Sequence, residues 1–366
     1  MSELSVTAGS GGAAATGPSV AVLQAAGVPP IDLTALVADQ RDPLLFATVS
    51  GAHLYGFPSR DSDVDLRGAH LLPVAALVGL REPEETRTLM GERDGVETDL
   101  VTHDLRKFAR LLLRRNGYVL EQLLSPLVVH TTPVHQELIA LAPGFVTSHH
   151  AHHYRGFAGP QWRLFERTGE LKPLLYTLRV LLTGIHLMAT GRLEAHLPTL
   201  AGEPGAPAYL PELIAAKEAA EHGAAGALVD PERLRADIAA LHARLDAAQA
   251  ATALPDAPSG RDALHDLVVR ARSGSAGSGE PGSAASASSA SAATRRSTAS
   301  QATSPRRTAS SSSRAAPTSS VSVPVRTRSR AQARARSRCI ACFQWGAPPR
   351  ATSARSCLSR LAAKRT

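Results

Sequence analysis

Nowhere before residue 339 does this chain contain a cysteine; Cys339, Cys342 and Cys357 are its only three. A disulfide framework is thereby excluded for most of its length, and a reducing compartment is the expectation. Cys339-x-x-Cys342 has only Cys357 behind it and no nearby histidine, so the second ligand pair of a zinc site is lacking. No stretch approaches the eighteen or so consecutive apolar residues of a membrane span. The first thirty residues hold no Lys or Arg, so the charged start of a secretory signal is missing and a cytoplasmic location is expected.

Basic charge is also scarce where a folded body is expected. The formal total is +8, yet residues 273–366 alone carry +15, from fifteen Arg and one Lys against Glu280, which leaves −7 for the rest. The pI near 9.9 is therefore a property of the tail and does not argue for a basic groove in the folded part. That tail is rich in Ser, Ala, Arg and Pro, with few aliphatic side chains to offset its chain entropy, so disorder is expected. Two readings of it stay open: a polycationic arm gripping RNA or DNA phosphates, or a product of a shifted reading frame in a GC-rich gene.

A length of 366 residues suggests about two domains. Residues 1–28 read as a flexible leader of small residues. Three strands are expected, at 44–50, 63–69 and 97–103, with a charged loop or hairpin over 81–95. From Asp104 the apolar spacing turns helical, with Arg106, Lys107, Arg110, Arg114 and Arg115 on the other side. Further helical patterns begin at Val119, His149, Pro173, Pro211, Pro231 and Asp262. Strands first and helices after predict an α+β fold: a small mixed-sheet head over 29–126, a helical domain over 127–272 and the disordered tail over 273–366. The cleft between head and helices would take nucleotide and acceptor.

The chemistry concentrates in residues 50–68, Ser-Gly-Ala-His-Leu-Tyr-Gly-Phe-Pro-Ser-Arg-Asp-Ser-Asp-Val-Asp-Leu-Arg-Gly. Gly51 and Gly56 permit a tight backbone turn, and in a strand Asp63 and Asp65 present their carboxylates to one side while Val64 and Leu66 face the core. Two hard oxygen ligands beside a backbone that approaches phosphate closely suit a magnesium–triphosphate complex. A third acid comes from Val96-Glu97-Thr98-Asp99-Leu100-Val101-Thr102, where Asp99 is the first choice and Glu97 the reserve. Asp61 fits better as a brace of its own loop.

These residues resemble the DNA polymerase β-like nucleotidyltransferases, in which a helix-opening Gly-Ser or Gly-Gly precedes Asp-hydrophobic-Asp and a lone Asp on a later strand. The stretches 51–59, 103–108 (His-Asp-Leu-Arg-Lys-Phe), 119–126, 154–157 (Tyr-Arg-Gly-Phe) and 254–258 (Leu-Pro-Asp-Ala-Pro) look like one bacterial branch associated with RNA repair. The likeness covers roughly residues 40–272 and is most specific at the first motif. It implies a transferase moving NMP from an NTP to an acceptor hydroxyl, with two Mg²⁺ or Mn²⁺ ions at Asp63, Asp65 and Asp99. Gly51, the Ala52 backbone and Ser59 would cradle phosphate. Lys172, Tyr176 and Arg179, at i, i+4, i+7 on one helix, would reach the outer phosphates and a base. The branch implies an RNA end as acceptor; a protein hydroxyl or a small molecule stays open within the same chemistry. The family commonly has Ser where this chain has Ala52, which removes a side-chain phosphate contact and keeps open a nucleotide-binding module without turnover. His149 and His153 stand at a zinc-compatible i, i+4 spacing, but hard-metal chemistry favours a role lining the nucleotide or acceptor cleft.

Overall fold

The computed structural model describes residues 20–219 and 228–275. The three cysteines, the arginine-rich tail beyond 275 and most of the leader lie outside the described residues.

In chain order the elements are α1 (Val20–Ala25), α2 (Leu33–Ala38), β1 (Leu44–Val49), α3 (Gly51–Tyr55), β2 (Val64–His70), α4 (Val74–Val78), β3 (Thr86–Arg93), β4 (Val96–Asp104), α5 (Leu105–Leu112), α6 (Gly117–Leu123), β5 (Val128–His130) and α7 (Pro133–Leu141). After a 3₁₀ turn at Ala142–Phe145 come α8 (His150–Thr168), α9 (Leu171–Thr190), α10 (Leu197–Ala201), α11 (Leu210–Ala219), α12 (Pro231–Ala251) and α13 (Arg261–Ser275). The fold is α+β, with a mixed sheet formed early in the chain and helices dominating the rest. One expectation is corrected at once: the leader does not stay irregular to residue 28, because Val20–Ala25 is helical and buries Leu23 in the core.

Five strands form one sheet in the order β3-β4-β2-β1-β5. Only β2 and β4 run parallel; their connection carries α4 and β3, and the other neighbours are antiparallel. β1 is buried along its whole length, as an inner strand of small and apolar residues should be. Its Phe46 stacks on His135 of α7 at 4.4 Å and meets Phe108 of α5 edge-on at 5.3 Å, so helices pack on the sheet through the middle of β1. The charged stretch before β4 resolves as a hairpin, with Asp94 and Gly95 both at positive φ in its two-residue turn.

Asp104 ends β4 and begins α5. One carboxylate oxygen accepts from the Arg106 amide, both meet the Arg272 guanidinium at 2.8 and 2.9 Å, and Leu72 N–H donates to the second. Helix α13 is thereby tied back to the sheet it follows by more than 150 residues of chain (|i−j| 168). Helix α9 is long and apolar enough to cross a membrane by length and composition alone, but 83% of that window is buried inside the protein, where α8 and α12 pack on it.

Candidate active site

The site begins where β1 stops. Ser50 N–H donates to Asp65 O at 2.8 Å, extending the β1–β2 ladder by one bond, and the chain then turns into α3 through Gly51 at φ +63°. A side chain there is opposed twice over. The left-handed conformation is costly for an L residue. A Cβ would also stand 2.9 Å from Asp65 Cγ and 3.1 Å from its Cβ, and closer still to Oδ2. The glycine is thus matched to the carboxylate beside it.

Parallel pairing places Asp65 of β2 directly opposite Asp99 of β4. Their side chains are 31% and 18% exposed, and the guanidinium of Arg67 links them. Arg67 Nη2 donates to Asp65 Oδ1 at 2.8 Å and to Asp99 Oδ2 at 3.1 Å. Its Nη1 donates to the carbonyls of Leu66 and Asp99, and its Nε to the Tyr118 hydroxyl at 3.0 Å. Neighbouring Asp65, Asp99 and Tyr118 hold this enclosed cation protonated, against the effect of burial. Asp99 carries the opposite imprint. Burial pushes its pKa above the ordinary 3.8, and the Asp65 charge adds to the rise that Arg67 opposes. Sequence reasoning passed over Arg67, although the alternation that aligns Asp63 with Asp65 continues to it.

Each acid gives one oxygen to Arg67. The other Asp65 oxygen, Oδ2, faces Gly51, and Asp99 Oδ1 is buried without a hydrogen-bond partner. Asp63 sits just before β2 and is exposed, while Glu97, the reserve acid, lies opposite Glu92 of β3. Among the described residues no three His, Cys, Asp or Glu side chains form a ready cluster for a metal ion. An orphaned carboxylate oxygen and a second hard oxygen nearby still fit Mg²⁺ or Mn²⁺, since magnesium is usually bound through one or two carboxylates plus substrate phosphates rather than by an all-protein cage.

The other expected contacts distribute differently. Ala52 is buried inside the α3 turn, where its carbonyl accepts from Gly56. Ser59 is buried in a small turn of its own, with its Oγ 3.0 Å from Ser62 Oγ. Lys172 is half-buried at the start of α9, and both it and Asp65 act on Tyr176, whose hydroxyl burial pushes up to about 12. The Tyr176 ring meets Tyr55 and Phe57 edge-on at 5.6 Å, behind the Gly51–Gly56 turn. Arg179 is enclosed: its side chain is 3% exposed and pairs with Glu121 of α6, itself 1% exposed, at 3.0 Å. The guanidinium lies 3.7 Å over the Tyr55 ring, and the Tyr55 hydroxyl donates to the second Glu121 oxygen. This buried pair stitches α9 to α6 and α3. Nothing in sequence periodicity singled out Glu121, one charge in an otherwise apolar helix turn.

The basic face expected along α5 is mostly neutralised. Arg106 and Arg110 both reach Glu85, and Lys107 bonds Thr86. At the start of α8, His149 and His152 stack at 5.8 Å, while His153 is held near pKa 4 by burial and the Arg179 charge. Among the described residues no group of three potential ligands gathers with His149 and His153 for a metal.

A family model described as "RNA repair pathway DNA polymerase beta family" matches residues 30–270. An uncharacterized protein of Methanocaldococcus jannaschii is 33% identical over 158 residues, 41% of this chain. The match spans 63% of that relative's own length.

Proposed function

The chain belongs to the RNA repair pathway DNA polymerase beta family, and from that premise we propose a divalent-metal-dependent nucleotidyltransferase that moves NMP from an NTP to the hydroxyl of an RNA end. The observation that carries this reading is the register Asp65 opposite Asp99, with Gly51 bringing the backbone against the Asp65 carboxylate.

In the proposed reaction a bond forms between the acceptor oxygen and the α-phosphorus. The bond from that phosphorus to the bridging oxygen breaks, and pyrophosphate leaves. Asp65 Oδ2 and Asp99 Oδ1 would hold Mg²⁺ or Mn²⁺, joined by exposed Asp63 once the triphosphate is present. When bound, the metal lowers the pKa of the acceptor hydroxyl and neutralises charge on the leaving pyrophosphate. Arg67 keeps both carboxylates on one face of the sheet. Asp99 is the proton acceptor of choice, because the burial that raises its pKa makes it a stronger base than an ordinary carboxylate. The α3 turn supplies backbone amides beside the phosphates, in place of the hydroxyl that Ala52 lacks. Tyr176 stands within electrostatic reach of both Lys172 and Asp65, and we assign Lys172 and Tyr176 to the outer phosphates and base; Arg179 acts from behind them, through Tyr55 and Tyr176. We assign the reaction to the cytoplasm.

Ala52 together with a guanidinium already seated between two acids favours one second reading, a module that binds NTP without turnover. Incubating the protein with each labelled NTP, Mg²⁺ or Mn²⁺ and a total RNA pool separates the two. The expected result is label on RNA, abolished by Asp63→Ala or Asp65→Ala with the fold intact. Label on protein or on a small molecule reassigns the acceptor, and wild-type turnover in either variant refutes the site.

A further inference from the structure

A cavity of about 130 Å³ opens beside the turn between α5 and α6, bounded by Arg114, Arg115, Thr147, His149 and Asp256. Arg114 and Arg115 are exposed, and among the described residues neither has an ion-pair partner, unlike Arg106 and Arg110 on Glu85 or Arg155 on Asp246. The cavity's one carboxylate, Asp256, accepts from the Ser148 hydroxyl at 2.6 Å and keeps its charge. Positive potential accumulates along this wall, and Arg155 and Arg115 both add to the effect of burial in lowering the His152 pKa. Two guanidinium groups without ion pairs, set against one carboxylate, leave this concave surface net positive in a body whose net charge is −7, which makes a local anion trap.

Its position gives the trap a use. Arg115 is three residues from Tyr118, at most about 11 Å of chain, and the Tyr118 hydroxyl accepts from the Arg67 that holds Asp65 and Asp99. Gly117 fixes the turn between them, since a Cβ there would stand 2.5 Å from the Tyr154 hydroxyl and 3.1 Å from the His153 ring. For a strand whose end lies at the two carboxylates, this cavity is a neighbouring cationic surface that could receive one of its next phosphates. Guanidinium forks suit phosphate oxygens, two donors at a time. Resting on the transferase reading for the location of the strand end, we propose that the Arg114–Arg115–His149 cavity binds a backbone phosphate of the acceptor RNA.

The test uses the full chain, a short single-stranded RNA carrying 4-thiouridine near its 3′ end, and mass mapping of photo-crosslinks. Crosslinks are expected within residues 113–118 and 147–153, lost in Arg114→Ala/Arg115→Ala and partly restored by Arg114→Lys/Arg115→Lys. By anisotropy the Ala double variant should bind roughly tenfold more weakly for each guanidinium lost. Its salt slope should fall by about 0.7 per phosphate contact removed from a single strand. Crosslinks confined to residues 273–366 in both proteins overturn the proposal and leave NMP transfer at Asp63 untouched. So does competition by inorganic phosphate or an acidic peptide with no competition by RNA. Arginine-dependent crosslinks in a protein that transfers no NMP uphold the cavity and remove the transferase reading instead.

Discussion

Gly51→Ala puts the architecture of the site under direct strain. The substitution asks an alanine to sit at φ +63° and drives its Cβ to 2.9 Å from Asp65 Cγ. The backbone term alone is about 1–2 kcal/mol. Asp65 must then swing away, and its hydrogen bond to the enclosed Arg67 is of the charged kind, worth about 1.5–3 kcal/mol. Arg67 keeps Asp99, Tyr118 and two carbonyls, so the lower end of that range applies, and the expected total is about 3 kcal/mol. Gly95→Ala separates the two terms. Gly95 has φ +80° in the β3–β4 turn, with nothing within 4 Å of where an added methyl group would stand, so it carries the backbone cost alone. Urea midpoints of the two variants, at unchanged m, give the difference. Manganese affinity read by electron paramagnetic resonance should fall in Gly51→Ala and hold in Gly95→Ala. Equal destabilisation of both variants, with equal manganese binding, would refute the proposed match between Gly51 and the Asp65 carboxylate.

Two further outcomes follow from buried charge. Because burial raises the folded pKa of Asp99, its contribution to stability is fully present below the unfolded value of 3.8 and is lost as pH rises through the elevated folded value. Ionised Asp99, the form that would bind metal in the proposed site, is thus the form the fold disfavours. Manganese affinity should decline on acidification at a pH above the ordinary carboxylate value, and Asp99→Asn should remove that limb; an unshifted limb counts against Asp99. Glu121→Gln leaves the enclosed Arg179 without a counter-charge and should cost about 3 kcal/mol by urea denaturation. A variant as stable as wild type would mean that the Arg179–Glu121 pair does not hold α6 to α9.

Much of the head was legible because its signals are local. The run Leu44–Val49, the Asp-Val-Asp alternation and the helix start at Asp104 each announce themselves within a few residues; the first and last appear in place, and the alternation enters β2 at Val64 with Asp63 just ahead of the strand. The first helix of the leader, α1, was hidden by its small residues, although Leu23 supplies the burial that fixes it. Strand β5 escaped because three residues after Pro126 are too few to show a period; it exists through bonds to β1, such as Val49 N–H to Leu127 O at 2.8 Å. Helix α7 did carry a cue, Thr132 as cap with Pro133 in the first turn, and the cap bond to His135 N–H is present. At the candidate site, spacing could nominate three acids but not show how they pair. That Asp65 falls opposite Asp99 depends on a parallel register set by the whole β2–β4 crossover. The positive charges misled for a related reason: helical periodicity groups Arg106, Arg110, Arg114 and Arg115, while only tertiary structure reveals that Glu85 takes up the first two.

Arg67 explains how such a pair persists before substrate arrives. Residues paired across neighbouring strands lie about 4.8 Å apart, and two unit charges at that spacing repel by roughly 3 kcal/mol at an effective dielectric of 20. The guanidinium between Asp65 Oδ1 and Asp99 Oδ2 offsets that repulsion while occupying one oxygen of each acid. The remaining two oxygens point to the Gly51 backbone and to a buried position with no donor. A site built in this way holds its acids ready but presents too few ligands to retain a divalent ion tightly by itself. Triphosphate oxygens would complete the shell, and on the proposed reading exposed Asp63, just ahead of β2, would join them. Cation and nucleotide would then bind with strong mutual dependence, each weak without the other, because Arg67 already occupies one oxygen of each acid.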